Sequence, residues 1–205
     1  DAAQAQILSA MANESPTALN DLDWHAIIDN LTATKQYAFT EMSRIAHAIA
    51  RAKLPLACEY IETALESKEK VIVFGHHRDV LTAIANRFNP HSVLLLGGHG
   101  ADQPRIIMEA QDKFNNDDNC RLFVGGISIA QAYSLKGSST VVFVEESWIP
   151  GEFSQAEDRA HGIGRGETDP KSMSITHLTF EDSLDTKKAK LNIAKQKSID
   201  KAMNR

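Results

Sequence analysis

The chain has 205 residues, 42% of them hydrophobic and 6% aromatic, and a formal net charge of -5. That length can bury one sizeable core with or without a helical arm, and an aliphatic-rich, aromatic-poor composition suits an alternating α/β domain better than an all-β sandwich. The acidic balance argues against a surface that is a nucleic-acid platform throughout, no apolar run approaches membrane-spanning length and no charged-then-apolar signal opens the chain, so a soluble intracellular protein is expected.

Residues 1–40 read as a lead-in or helical extension. Asp1 to Asn20 is rich in Ala, Ser, Asn and Gln and broken by Ser15-Pro16, and a start on Asp1 suggests an excised fragment. Asp21 to Phe39 places Leu22, Trp24, Ile27, Ile28 and Leu31 at roughly helical spacing. Glu41 to Lys53 predicts a clearer helix with Met42, Ile45, Ala48, Ile49 and Ala52 on one face. Lys53-Leu54-Pro55 then predicts an interruption, with Pro55 in the first turn of a second helix that ends near Ser67.

From here strands and helices alternate. Val71–Phe74 is a short apolar run bounded by Lys70 and Gly75, as in a strand buried on both faces, followed by the loop His76-His77-Arg78-Asp79 and a helix from Val80 to Phe88. Val93–Leu96 predicts a second strand, Gly97-Gly98-His99-Gly100 a turn, and Pro104 to Phe114 a helix. The glycine-rich turn alone fits turn chemistry at least as well as phosphate binding. Arg121–Val124 predicts a third strand and Ile127 to Leu135 a short helix; Thr140–Val144 and Met173–Phe180 predict a fourth and a fifth strand. Strands separated by helices at this spacing imply right-handed crossovers and a mainly parallel sheet covered by helices.

Between the last two strands lies Trp148 to Gly166. Pro150-Gly151 punctuates the end of the apolar run and Ser154 can cap a helix opening at Gln155. Gln155, Arg159 and Gly162 then fall at i, i+4 and i+7 on one face, at the carboxyl end of a strand, where α/β proteins commonly meet ligands. A guanidinium is a planar fork of donors matched to phosphate oxygens; an ordinary surface helix is the other reading. Residues 184–205 should form a basic closing helix: six lysines and one arginine against Asp185 and Asp200 give the segment +5 and leave -10 on the rest. Such an arm either follows a phosphate backbone or is a solvated face. Cys58 and Cys120 lie too far apart in sequence for a disulfide framework or a zinc motif, and the eight histidines show no ligand spacing with them, so no metal site is expected.

Gln155-Ala-Glu-Asp-Arg-Ala-His161 resembles the last helicase motif of the Swi/Snf-related ATPases, in the branch of superfamily II that remodels or reanneals DNA forks, and Val141 to Gly151 resembles the strand and Trp-x-Pro-Gly turn that lead into it. The likeness extends over roughly Glu41 to Met203 and includes Val71 to Leu81, the Gly97-Gly98 turn with Arg105, and the helix ending Asp112-Lys113-Phe114. It implies a RecA-like C-terminal helicase lobe over 41–183, with ATP and Mg2+ held mainly by a first lobe that this chain lacks. No Gly-x-x-x-x-Gly-Lys-Ser/Thr loop is present. The resemblance makes Gln155 and Arg159 nucleotide contacts, Arg159 catalytic, and His76, Arg78, Arg105 and Ser134 contacts to DNA. Its partners are double-stranded or forked DNA and the N-terminal ATPase lobe of the same parent protein, with no membrane.

Two motif positions depart from the family. Where it carries a second arginine, described as the arginine finger, this chain has Gly162, with Arg165 three residues on as a possible substitute. Where it carries a glycine in Gly-Leu-Asn/Thr-Leu, this chain reads Ala132-Tyr133-Ser134-Leu135. The leading expectation is the second motor lobe of a DNA translocase; the alternative is a degenerate lobe that binds DNA or protein without turnover. A small-molecule enzyme built on Gly97 to Gly100 is disfavoured, because no nucleophile and base can be paired.

Overall fold

The apolar runs pair into one five-stranded sheet whose four pairings are all parallel, in the order β2 (Ser92–Leu95), β3 (Leu122–Gly126), β1 (Lys70–Gly75), β4 (Ser138–Phe143), β5 (Ser174–His177). The structure, a computed structural model, describes residues 35–67, 70–132, 134–136, 138–149, 151–153, 156 and 174–202. In chain order its elements are α1 (Lys35–Glu66), β1 (Lys70–Gly75), α2 (Arg78–Arg87), β2 (Ser92–Leu95), a 3₁₀ turn (Gly100–Asp102), α3 (Gln103–Asn116), β3 (Leu122–Gly126), a 3₁₀ segment (Ile127–Ala132), β4 (Ser138–Phe143), β5 (Ser174–His177) and α4 (Leu184–Ala202).

The pleat sorts the side chains of each central strand between two cores. Ile72, Phe74, Phe123, Val141 and Phe143 face Ala110 and Phe114 of α3, together with Phe153 and Ala156. Val71, Val73, Leu122, Val124 and Val142 face Ala57, Cys58 and Ile61 of α1 and Val80, Leu81 and Ile84 of α2. The sheet is therefore covered on both sides, which explains why β1 and β3 read as continuous apolar runs. Cys58 and Cys120 are unpaired and buried in opposite cores, and burial raises both thiol pKa values.

Three expectations need correction. Pro55 does not interrupt the first helices; α1 is continuous over 32 residues with Pro55 inside. Its buried stripe, Ile45, Ile49, Ala50, Ala57, Cys58 and Ile61, runs straight past the proline, while Pro55 and Arg51 are exposed, so the Arg51 carbonyl left without its N–H partner can be hydrated. Ile127 begins a 3₁₀ segment ending at Ala132, not a helix to Leu135. The last strand is only Ser174–His177, mostly exposed, because it lies at the edge of the sheet. The predicted helix within 21–39 lies outside the described residues up to 34, and α1 starts at Lys35.

No helix among the described residues is long and apolar enough to cross a membrane.

Candidate functional site at the carboxyl edge of the sheet

All five strands point the same way, so their following loops gather at one edge. β1 ends on Gly75, where an added Cβ would lie 2.9 Å from Glu145 Oε2 and 3.0 Å from both Leu81 Cδ2 and Val144 Cγ2. A residue without a side chain lets the Glu145 carboxylate lie against the strand end. That carboxylate accepts the backbone N–H of His76 (2.8 Å) and of His77 (2.9 Å), and its Oε1 pairs with His77 Nδ1. Burial works to raise the Glu145 pKa, but the His77 ring, the two amides and the His77 charge outweigh it and hold the carboxyl below its ordinary value.

The His77 ring stacks on His47 of α1, with centroids 4.3 Å apart and planes within 8°. His47 Nε2 lies 2.7 Å from Asp79 Oδ2, in the first turn of α2. Burial again acts upward on Asp79, and the His47 hydrogen bond and charge with backbone amides bring its pKa below the usual carboxylate value. Two stacked imidazoles, each with its own carboxylate, thus fix the β1 loop between α1, α2 and the exit of β4.

That loop presents two of the residues singled out from the sequence. His76 is exposed and meets His77 edge-on at 5.2 Å. Arg78 donates from Nη1 to the Gly97 carbonyl at 2.6 Å, so the loops after β1 and β2 are joined by a guanidinium with further N–H donors. Gly98 (φ +90°) and Gly100 (φ +57°) supply the left-handed backbone of the second loop. Arg105 stands in the first turn of α3, beside that loop, paired with Glu109 at 2.6 Å while 58% exposed. Exposed i,i+4 pairs are worth a few tenths of a kcal/mol, roughly 0.3–0.5, so a stronger anion can displace Glu109.

Ser134 lies elsewhere. Its N–H donates to Gln111 Oε1 (2.9 Å) and its carbonyl accepts from Asn115 Nδ2 (3.2 Å), near the far end of α3. That end is tied to the start of β1 by Lys70 Nζ, which donates to the carbonyls of Phe114 and Asp117. Ser134 therefore sits towards the amino edge, beside residues about 12 to 18 Å along α3 from Gln103 at the helical rise per residue.

Gln155, Arg159, Gly162, Arg165 and Tyr133 lie outside the described residues. The approach to Gln155 is described. After β4, Ser147 Oγ accepts the Ile149 N–H (3.0 Å) and donates to Glu152 Oε2 (2.5 Å), and the Glu152 N–H donates to the Ile149 carbonyl (3.1 Å). Phe153 packs edge-on against Phe143 at 4.9 Å, and Ala156 is fully buried. Residues on either side of Gln155 are thus anchored in the core.

Sequence reading missed the carboxylates that hold this edge together. Glu146 pairs with His177 Nδ1 at 2.8 Å, and Lys53 pairs with Asp185 at 2.5 Å. The available signal was Glu145-Glu146 directly after an apolar strand; its histidine partners are 68 and 31 residues away in sequence. Among the described residues no group of three or more His, Cys, Asp or Glu is placed to hold a metal ion.

No family model matches the chain. Among curated proteins it is 33% identical over 156 residues to the SWI/SNF-related matrix-associated actin-dependent regulator of chromatin subfamily A-like protein 1 of Bos taurus, covering 74% of this chain and 16% of that protein. It is 32% identical over 149 residues to the DNA annealing helicase and endonuclease ZRANB3 of Homo sapiens, covering 71% of this chain. The chain spans 13% of the length of the human protein, so these relatives are far longer than the match. In fold it is similar to the C-terminal part of the Fun30 ATPase domain, with a TM-score of 0.58 and 23% identity over 68% of this chain and 44% of that one.

Proposed function

This chain is a helicase lobe of the Swi/Snf-related family, and from that premise we propose that it acts as the second motor lobe of an ATP-dependent double-stranded DNA translocase. The observation that carries this reading is the 33% identity over 156 residues, in a chain whose sheet gathers its loops at one edge. In this role the lobe completes a nucleotide cleft whose other wall, with the bulk of the ATP and Mg2+ contacts, is an N-terminal lobe of the same parent.

Gln155 and Arg159 suit the phosphate end of such a nucleotide. A guanidinium would donate to phosphoryl oxygens as negative charge builds on them, which lowers the barrier because the donor is already in place. The acidic groups here do not fit Mg2+. Glu145 is taken by three donors from the β1 loop and Glu146 by His177, so the ion is assigned to the first lobe.

His76 in the loop after β1, Arg78 at the start of α2 and Arg105 in the first turn of α3 would track a DNA backbone at one edge. Such contacts position the lobe without reading sequence. Ser134, towards the other edge, would have to meet a different stretch of backbone.

The basic helix α4 divides by face. Lys190, Lys197 and Lys201 are exposed and fall within about 40° of one another around the helix, a stripe open to phosphate. Leu184, Asp185 and Lys188 are buried, so deleting the arm would disturb the core. The informative variant replaces the three stripe lysines by glutamine. This chain should bind double-stranded DNA weakly, whatever its sequence, and steeply less at higher salt; the triple variant should lower the log–log salt slope by up to about 2.7. A slope unchanged by the three substitutions would mark the stripe as a solvated face.

Gly162 and Ala132 favour a second reading, a degenerate lobe that binds DNA or protein without supporting turnover. The two readings share the fold and the DNA-facing loops and differ only in whether the nucleotide face works.

A further inference from the structure

We propose that α4 is a clamp, with Lys188, Asn192 and Lys195 as positioning residues that hold the exit of β4 and, through it, the segment carrying Gln155 and Arg159. These three stand at i, i+4 and i+7, on one face of the helix. They donate in order to three consecutive backbone carbonyls: Lys188 Nζ to Glu146 (3.1 Å), Asn192 Nδ2 to Ser147 (2.7 Å) and Lys195 Nζ to Trp148 (3.0 Å). Lys188 Nζ also lies 4.8 Å from the centre of the Trp148 ring.

β4 ends at Phe143, so these carbonyls have left the sheet ladder and take their donors from side chains. Lys188 and Asn192 are only 5% and 7% exposed, which a lysine-rich solvated face would not produce. The face is also distinct from the stripe of Lys190, Lys197 and Lys201, which lies on the opposite side of the helix. From Trp148 the linkage continues through the Ser147 and Glu152 side chains and the buried Phe153, two residues before Gln155. Shifting this exit would shift the guanidinium it leads to, and misplacement by about 1 Å can cost 10²-fold in rate.

The role rests on the reading of Gln155 and Arg159 as nucleotide contacts, and the test separates the two. In the full-length protein, DNA-stimulated ATP hydrolysis is measured for Asn192→Ala/Lys195→Ala, for Lys195→Ala, Lys195→Arg and Arg159→Ala, and for Lys187→Ala, which removes the same charge about 100° off the clamp face. Amide hydrogen exchange is followed in parallel. The double variant should lose about tenfold in kcat, with exchange faster at residues 146–153 and unchanged elsewhere; Lys195→Arg and Lys187→Ala should behave as the parent. Unchanged kcat in the double variant, while Arg159→Ala abolishes turnover, overturns the clamp and leaves the nucleotide reading standing. Exchange accelerated throughout the lobe also overturns it, since the residues would then be merely structural. Turnover unaffected by Arg159→Ala removes the nucleotide reading and the positioning role with it.

Discussion

In the full-length protein, Arg159→Ala is expected to lower DNA-stimulated ATP turnover by roughly 10³- to 10⁵-fold, the range contributed by arginine fingers in related phosphoryl-transfer sites. The expectation follows from the chemistry of the missing partner. Gly162 stands where the family pattern carries a second arginine, so on the proposed reading Arg159 carries the phosphate-facing role without it. Restoring arginine by Gly162→Arg should raise turnover, because a second guanidinium on that face would meet the same developing charge. If Arg165 already reaches the nucleotide, Gly162→Arg does little and Arg165→Ala abolishes hydrolysis instead. Steady-state hydrolysis with saturating DNA distinguishes the two. If Arg159→Ala, Gly162→Arg and Arg165→Ala all leave the rate unchanged, the degenerate lobe becomes the better account.

The second large effect is on stability. Lys53 of α1 and Asp185 of α4 are 125 or more residues apart from their partners in sequence, yet form an ion pair whose side chains are 5% and 4% exposed, and Lys53 also donates to the Leu178 carbonyl at 2.6 Å. Removing one member of a buried pair typically costs about 3–5 kcal/mol because the other charge remains desolvated. Lys53→Met should therefore lower the Tm by roughly 6–20 °C for a domain of this size. Lys53→Met/Asp185→Leu should recover part of the loss, since the unpaired carboxylate is gone while the buried Lys188 keeps only Glu145 and Glu146 as nearby carboxylates. Burial raises the Asp185 pKa even against the attraction of Lys53 and Lys188. A carboxyl that binds its proton more tightly when folded contributes most below its unfolded pKa and loses that contribution as pH rises through the folded value. The Lys53→Met defect should accordingly shrink as pH falls through that value, where Asp185 is neutral. Thermal unfolding across pH checks both points; a defect under about 1 kcal/mol would show that Lys188 alone satisfies Asp185.

The sheet was legible because its physics is local. Val71–Phe74 and Arg121–Val124 are uninterrupted apolar runs of strand length bounded by glycine or charge, and all five expected strands occur within a few residues of their expected bounds. Pro55 misled because the rule that proline ends a helix concerns a lost hydrogen bond, and whether that loss matters depends on which face meets water. The carboxyl edge was half legible. His76, Arg78 and Arg105 are picked out by motif resemblance, and the first two lie together between the end of β1 and the first turn of α2. The groups that fix the loop, Glu145, His47 and Asp79, could not, because each bond joins residues from separate elements and no periodicity records it. The lysines of α4 show the same limit most clearly. Composition gave one basic arm, whereas docking divides it into residues that bond the exit of β4 and residues that face solvent.

In the proposed function this lobe forms one wall of a nucleotide cleft. That role is tested most directly by irradiating the full-length protein, with DNA present, in complex with an ATP analogue that carries a photoreactive group on its γ-phosphate, and mapping the labelled peptides. Label at residues 154–166, lost in Arg159→Ala and competed by unmodified ATP, is the predicted result. Label confined to residues outside this lobe, in a protein that hydrolyses ATP normally, would contradict it.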